Sequence, residues 1–185
     1  MVIKLCEGGC GTTSQSPNVK IEMLHITIPT GTATADHWKW FRHYTALAQL
    51  HGAYATIARE DEFNYNWGDL ADQTIIDEMK DGSTNDYNFC GNPIDPPFVY
   101  GTTYQNGVYK REFEGCVILV NPPEDPTSDP PYNSDTSDNV TLPYNVRRLN
   151  NVSGEGDASV NTGATITAST PIPVPEFDAL FLVKL

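Results

Sequence analysis

Asp61 and Glu62 sit side by side, and Tyr65 and Trp67 follow within the same short polar stretch. Carboxylates in such a place can trade protons with a bound ligand when their surroundings hold one charged and the other neutral. A Trp and a Tyr alongside offer flat faces to a ring-shaped ligand. The plainer reading of the same residues is a solvated acidic loop anchored by Trp67. A second charged cluster, Lys110-Arg111-Glu112, precedes the apolar run Cys116-Val117-Ile118-Leu119-Val120. Its plainer reading is a solvated or domain-facing ion cluster, and that reading outweighs catalysis.

Residues of metal-ligand type do not assemble a site. Cys6 and Cys10 form a close pair, but a zinc site normally wants a second close pair of Cys or His. Cys90 and Cys116 stand far apart in sequence without a nearby His. A disulfide involving Cys6 or Cys10 stays open, and Cys116 reads most simply as a small buried hydrophobe. His25, His37, His43 and His51 show no paired ligand spacing, and His43 and His51 read as flanking an aromatic helix. Asp125, Asp129, Asp135 and Asp138 supply oxygens of the kind calcium takes, without the spacing of a calcium loop. No metal and no cofactor is therefore expected. Asn139-Val140-Thr141 and Asn151-Val152-Ser153 are glycan acceptor sequons, meaningful in a secreting eukaryotic host. The formal net charge of −13 disfavours phosphate backbones, so nucleic acid is not an expected partner. No apolar run is long enough to span a bilayer.

The elements that must position these residues follow from periodicity. Val19 to Ile28 alternates and is rich in β-branched residues, which predicts a strand ended by Pro29-Thr30-Gly31. Asp36 is placed to cap a helix running to a stop at Gly52. On it Trp40, Tyr44 and Leu47 share a face that Trp38, Phe41 and Ala48 widen, so the helix should pack against more than one neighbour. Ala53 to Ala58 predicts a second strand, completing a strand–helix–strand unit of the parallel type. Residues 59–98 read as a long polar loop with one short helix near Asp72 to Met79. Beyond Pro97 the pattern becomes antiparallel. A hairpin turns about Glu114-Gly115, and single strands are expected within 139–149, 163–175 and 177–185. The expected fold is a β-rich α+β chain: residues 1–96 an α/β segment with a long loop, residues 97–185 an antiparallel β-sandwich.

The phrases "NGVYKREFEGCVILVNP", "NVTLPYNVRRL" and "PEFDALFL", taken in that order, resemble the C-terminal end of (β/α)8-barrel glycoside hydrolases that carry a small β-sandwich after the barrel. Upstream, "HYTALAQLHGAYATIA" is similar to the last helix and strand of such a barrel. The likeness runs from about Lys20 to Leu185 and is strongest over Asn106 to Pro122. It implies that the strand–helix–strand unit is the end of a TIM barrel. It further implies that Asp61 or Glu62, just after a barrel strand, is a catalytic carboxylate, with Tyr65 and Trp67 as the sugar platform. A whole barrel needs about 250 residues, more than this chain has, so catalysis by it alone is not expected. Carbohydrate is the implied ligand, and missing upstream barrel residues or self-association should cover the aromatic helix. The implied location is extracellular or secreted, although Met1 to Thr13 lacks the apolar core of a signal peptide. An extracellular self-assembling β-rich subunit and a non-catalytic sugar-binding module are the alternatives.

Overall fold

The computed structural model describes residues 23–28, 35–51, 54–59, 90–96, 102–122, 136–150 and 159–185. Within them the chain runs β1 (Met23–Ile28), α1 (Ala35–His51), β2 (Tyr54–Arg59), β3 (Tyr109–Glu112), β4 (Cys116–Asn121), β5 (Ser137–Val140), β6 (Val146–Arg148), β7 (Thr165–Ile166), β8 (Ile172–Pro175) and β9 (Asp178–Lys184). β1 and β2 pair in parallel, Met23 opposite Tyr54 and Ile28 opposite Arg59, with α1 as the crossover that parallel neighbours require. All remaining pairings between strands are antiparallel. The β-rich, mostly antiparallel character with little helix is as expected.

The main sheet has the order β3-β4-β9-β6-β7, and β5 pairs with β8 in a separate ribbon. Side chains alternate across a strand with a period of two, and both central strands obey it. Cys116, Ile118 and Val120 on β4, with Ala179 and Phe181 on β9, pack with Ala46 and Leu50 of α1. Val117, Leu119, Leu180 and Leu182 face the other way, towards Val140, Ile172 and Val174 of the ribbon. The sheet is therefore apolar on both faces, which explains why β4 reads as an unbroken apolar run. Each fully buried Leu, Ile or Val contributes about 1.5–3 kcal/mol, so these two cores dominate the favourable side of folding. Asn121, where β4 ends ahead of Pro122, donates from Nδ2 to the Val174 carbonyl (3.0 Å) and to Asp138 Oδ2 (3.1 Å), riveting the ribbon to the sheet.

The hairpin about Glu114-Gly115 forms as expected, the Phe113 amide donating to the Cys116 carbonyl at 2.9 Å. Three other expectations change. The stretch 139–149 is two strands, β5 and β6, because Pro143 between them can donate nothing to a ladder. The stretch 163–175 likewise divides into β7 and β8, at a turn where Ser169 takes a φ of 63°. Cys116 is buried, but it is not a free thiol: it is disulfide-bonded to Cys90, with Cα atoms 4.6 Å apart.

The disulfide begins a close seam. Gly115 N–H donates to the Cys90 carbonyl (2.8 Å), Glu114 N–H to that of Asn92 (2.9 Å), and Ile94 N–H to that of Glu112 (2.9 Å), so residues 90–95 run beside β3. Gly91 has a φ of 67°, and a Cβ there would stand 2.8 Å from Glu114 Oε2. Cys6, Cys10 and the helix expected near 72–79 lie outside the described residues. Among the described residues, no helix is long and apolar enough to cross a membrane.

Candidate functional site

Asp61, Glu62, Tyr65 and Trp67 lie outside the described residues. The cluster Lys110-Arg111-Glu112 lies inside them, on β3, and strand alternation divides it. Arg111 turns towards α1 and is buried. Its Nη1 donates to the carbonyls of Gln49 and Leu50 (3.3 Å for the latter), at the helix end where carbonyls lack intrahelical partners and negative potential collects. The guanidinium also lies over the Phe113 ring, 5.2 Å from its centre. Burial lowers its pKa and the Asp95 charge raises it again. Arg111 is a strand residue that caps a helix.

Lys110 and Glu112 emerge on the opposite face. Glu112 accepts from Lys184 Nζ at 2.8 Å and from Lys110 Nζ at 3.2 Å. Lys110 stands 5.0 Å from the centre of the Tyr104 ring and Lys184 5.4 Å from that of Tyr144, distances at which an ammonium is attracted to an aromatic face. Asp95 lies 3.8 Å from Lys110 and accepts the Glu112 amide at 2.9 Å. Burial alone would raise the Glu112 pKa, but the hydrogen bonds and charges of the two lysines outweigh it and hold the carboxyl below its ordinary value. The Tyr144 hydroxyl is near Glu112 without a hydrogen bond of normal geometry, and burial first, then the Glu112 charge, raises its pKa.

A second polar centre lies between α1 and the β8–β9 turn. Arg42 Nε donates to Asp178 Oδ1 at 2.8 Å and Nη2 to Oδ2 at 2.7 Å, a fork with both side chains almost wholly buried. Asp178 also accepts the Ala179 amide at 2.7 Å. Burial drives the Asp178 pKa up, and Arg42 opposes that. Beside the fork His43 stacks on Phe177, ring centres 4.6 Å apart, and Tyr44 meets Phe177 edge-on at 5.8 Å. Phe177 takes a φ of 56°, unusual for a bulky residue, and the two rings hold it there. Burial lowers the His43 pKa to about 4 against a hydrogen bond with the Asp178 main chain, and its Nδ1 has no partner. His43 is thus core rather than the flanking group expected of it.

Chemically these arrangements bind and position. A carboxylate held between two ammoniums is a weak base, and one whose two oxygens both accept from a buried guanidinium has neither open to a ligand's proton. Three further carboxylates are also engaged: Glu114 by Asn92, Asp138 by Asn121 and Glu176 by Thr136. Among the described residues no group of three His, Cys, Asp or Glu side chains could hold a metal ion. Sequence reasoning passed over Arg42 and Asp178. The signal for Asp178 was available, as a lone acid opening an otherwise apolar run. Its partner was not, being 136 residues away. No family model, curated protein or solved structure matches the chain.

Proposed function

We propose that this chain is the C-terminal, catalytically incomplete portion of a glycoside hydrolase-like, carbohydrate-active protein. The observation that carries the proposal is the position of α1. It contacts the parallel β1–β2 pair on one side and β4 and β9 of the antiparallel sheet on the other. A parallel pair normally sits within a larger α/β body with both faces covered, and among the described residues it has no third strand. A barrel end followed by a β layer docked on its last helix would produce this arrangement. Asp61 or Glu62 would then follow the β2 strand as a catalytic carboxylate, with Tyr65 and Trp67 beside it. Secretion is supported by the Cys90–Cys116 disulfide, a bond that persists in oxidising compartments.

The test is hydrolysis of a panel of aryl glycosides by the chain alone, with binding of neutral oligosaccharides followed by Trp fluorescence. Little or no turnover is expected, together with weak binding that Trp67→Ala abolishes. Robust turnover lost in Glu62→Gln would show a complete enzyme, and binding indifferent to Trp67→Ala would remove the sugar platform. A second reading, a self-assembling subunit, is favoured by the same two-stranded pair, because unpaired strand edges invite another copy.

A further inference from the structure

Near the turn from β8 to β9 a half-open cleft of about 320 Å³ lies between Lys39 of α1 and Arg148 of β6, with Leu180 on its floor and the hydroxyl residues Thr136, Ser137 and Ser159 on its walls. That volume is at the small end of ligand pockets. Arg148 is half-buried, and its side chain makes one hydrogen bond, from Nη1 to the neutral carbonyl of Val160 at 3.3 Å. A guanidinium carries five N–H donors in a planar fork, so most of its capacity is unspent. The acid nearest in influence to both cations is Asp178, but Arg42 already occupies both of its carboxylate oxygens. Among the described residues neither Lys39 nor Arg148 has an ion pair of its own, and they share only the residual field of an Asp178 already forked by Arg42. Two such charges in a concave, partly dehydrated place stand out on a chain of net charge −13, and concave walls concentrate their field.

We propose that this cleft binds an oxyanion, a carboxylate or phosphate carried on a small polar ligand. Arg148 grips it through its free donors, Lys39 adds a point charge, and the Ser137 hydroxyl offers one further donor. The proposal stands apart from the carbohydrate reading, since it uses none of Asp61, Glu62, Tyr65 or Trp67. Isothermal titration of the whole chain with inorganic phosphate and, separately, with glucuronate tests it. At least one probe should bind at millimolar concentration or tighter, and added sodium chloride should weaken it. Phosphate alone would identify a phosphate ester as the ligand class, and glucuronate alone a carboxylate. Arg148→Gln should weaken binding by roughly tenfold or more, while Arg147→Gln, which removes the same charge from the neighbouring residue, should leave it unchanged. Circular dichroism establishes that Arg148→Gln is folded. Should it not be, Lys39→Gln must weaken binding instead. Failure of both probes to bind the parent chain overturns the site, as does an Arg147→Gln loss equal to that of Arg148→Gln, which would reduce the effect to bulk charge.

Discussion

Arg42 and Asp178 illustrate how a buried ion pair constrains a fold without adding much to its net stability. Dehydrating two charges costs several kcal/mol each, and the fork returns that only while both partners are present. Asp178→Asn or Arg42→Met is therefore expected to cost about 3–5 kcal/mol in urea unfolding. The double replacement Arg42→Met/Asp178→Leu should cost far less than the sum of the single changes; simple additivity would show that the two do not act as a pair. His43 sets a pH dependence next to it. Its pKa is about 4 in the folded chain against an ordinary 6.5, so between those values the unfolded chain binds a proton that the folded chain refuses. Stability is then full above pH 6.5 and falls as the pH is lowered towards 4. At about 1.4 kcal/mol for each pH unit, the loss approaches about 3 kcal/mol. Glu112, held below its ordinary value, adds its own loss further into acid. Urea midpoints measured across that range should slope in the parent and flatten above pH 4.5 in His43→Phe; equal slopes would assign the effect elsewhere.

At the scale of elements, the β3–β4 hairpin rests on the strip 90–95 stapled beside it. The Cys90–Cys116 bridge closes a span of 26 residues, for which chain entropy predicts about 3.5 kcal/mol. The Cys90→Ala/Cys116→Ala chain should lose stability of that order in thermal unfolding, and an unchanged midpoint would show that the strip holds without its covalent tie. Gly91→Ala should be destabilising as well, by about 1–2 kcal/mol for the left-handed backbone, with the Glu114 side chain forced to move. The hairpin was legible because Glu114-Gly115 separates two runs of opposite character. The helix was legible from its apolar breadth, and it does contact more than one neighbour: β1, β2, β4 and β9. The pairing of Cys90 was not, since connectivity among four cysteines does not follow from spacing. Arg148 and Lys39 were equally hidden, because a cation's significance lies in which acids are already occupied around it. The breaks at Pro143 and Ser169 were missed for a simpler reason: apolar residues continue on both sides, and pattern alone reads through them.

At the scale of the whole molecule, the described elements join through α1, which contacts both the parallel pair and the main sheet, and the β5–β8 ribbon packs on that sheet's other face. The least finished part is the parallel pair, which has no third strand among the described residues. Its outer edges should recruit either further strands or a second copy of the chain. Sedimentation equilibrium at micromolar concentration is expected to give more than the monomer mass, and a clean monomer would mean that the chain covers those edges by itself. A different consequence follows from the central place of β9. It lies between β4 and β6 in space, yet it is translated after every other strand of the sheet. The order of manufacture and the order of assembly therefore disagree. A ribosome that has delivered β3 and β4 has made a hairpin whose inner edge must wait, unpaired, for a strand not yet synthesised. Long-range pairing of this kind slows folding and leaves nascent chains sticky, so synthesis stalled before Asp178 should yield chains held by chaperones, and the emergence of β9 should let the sheet close in a single step.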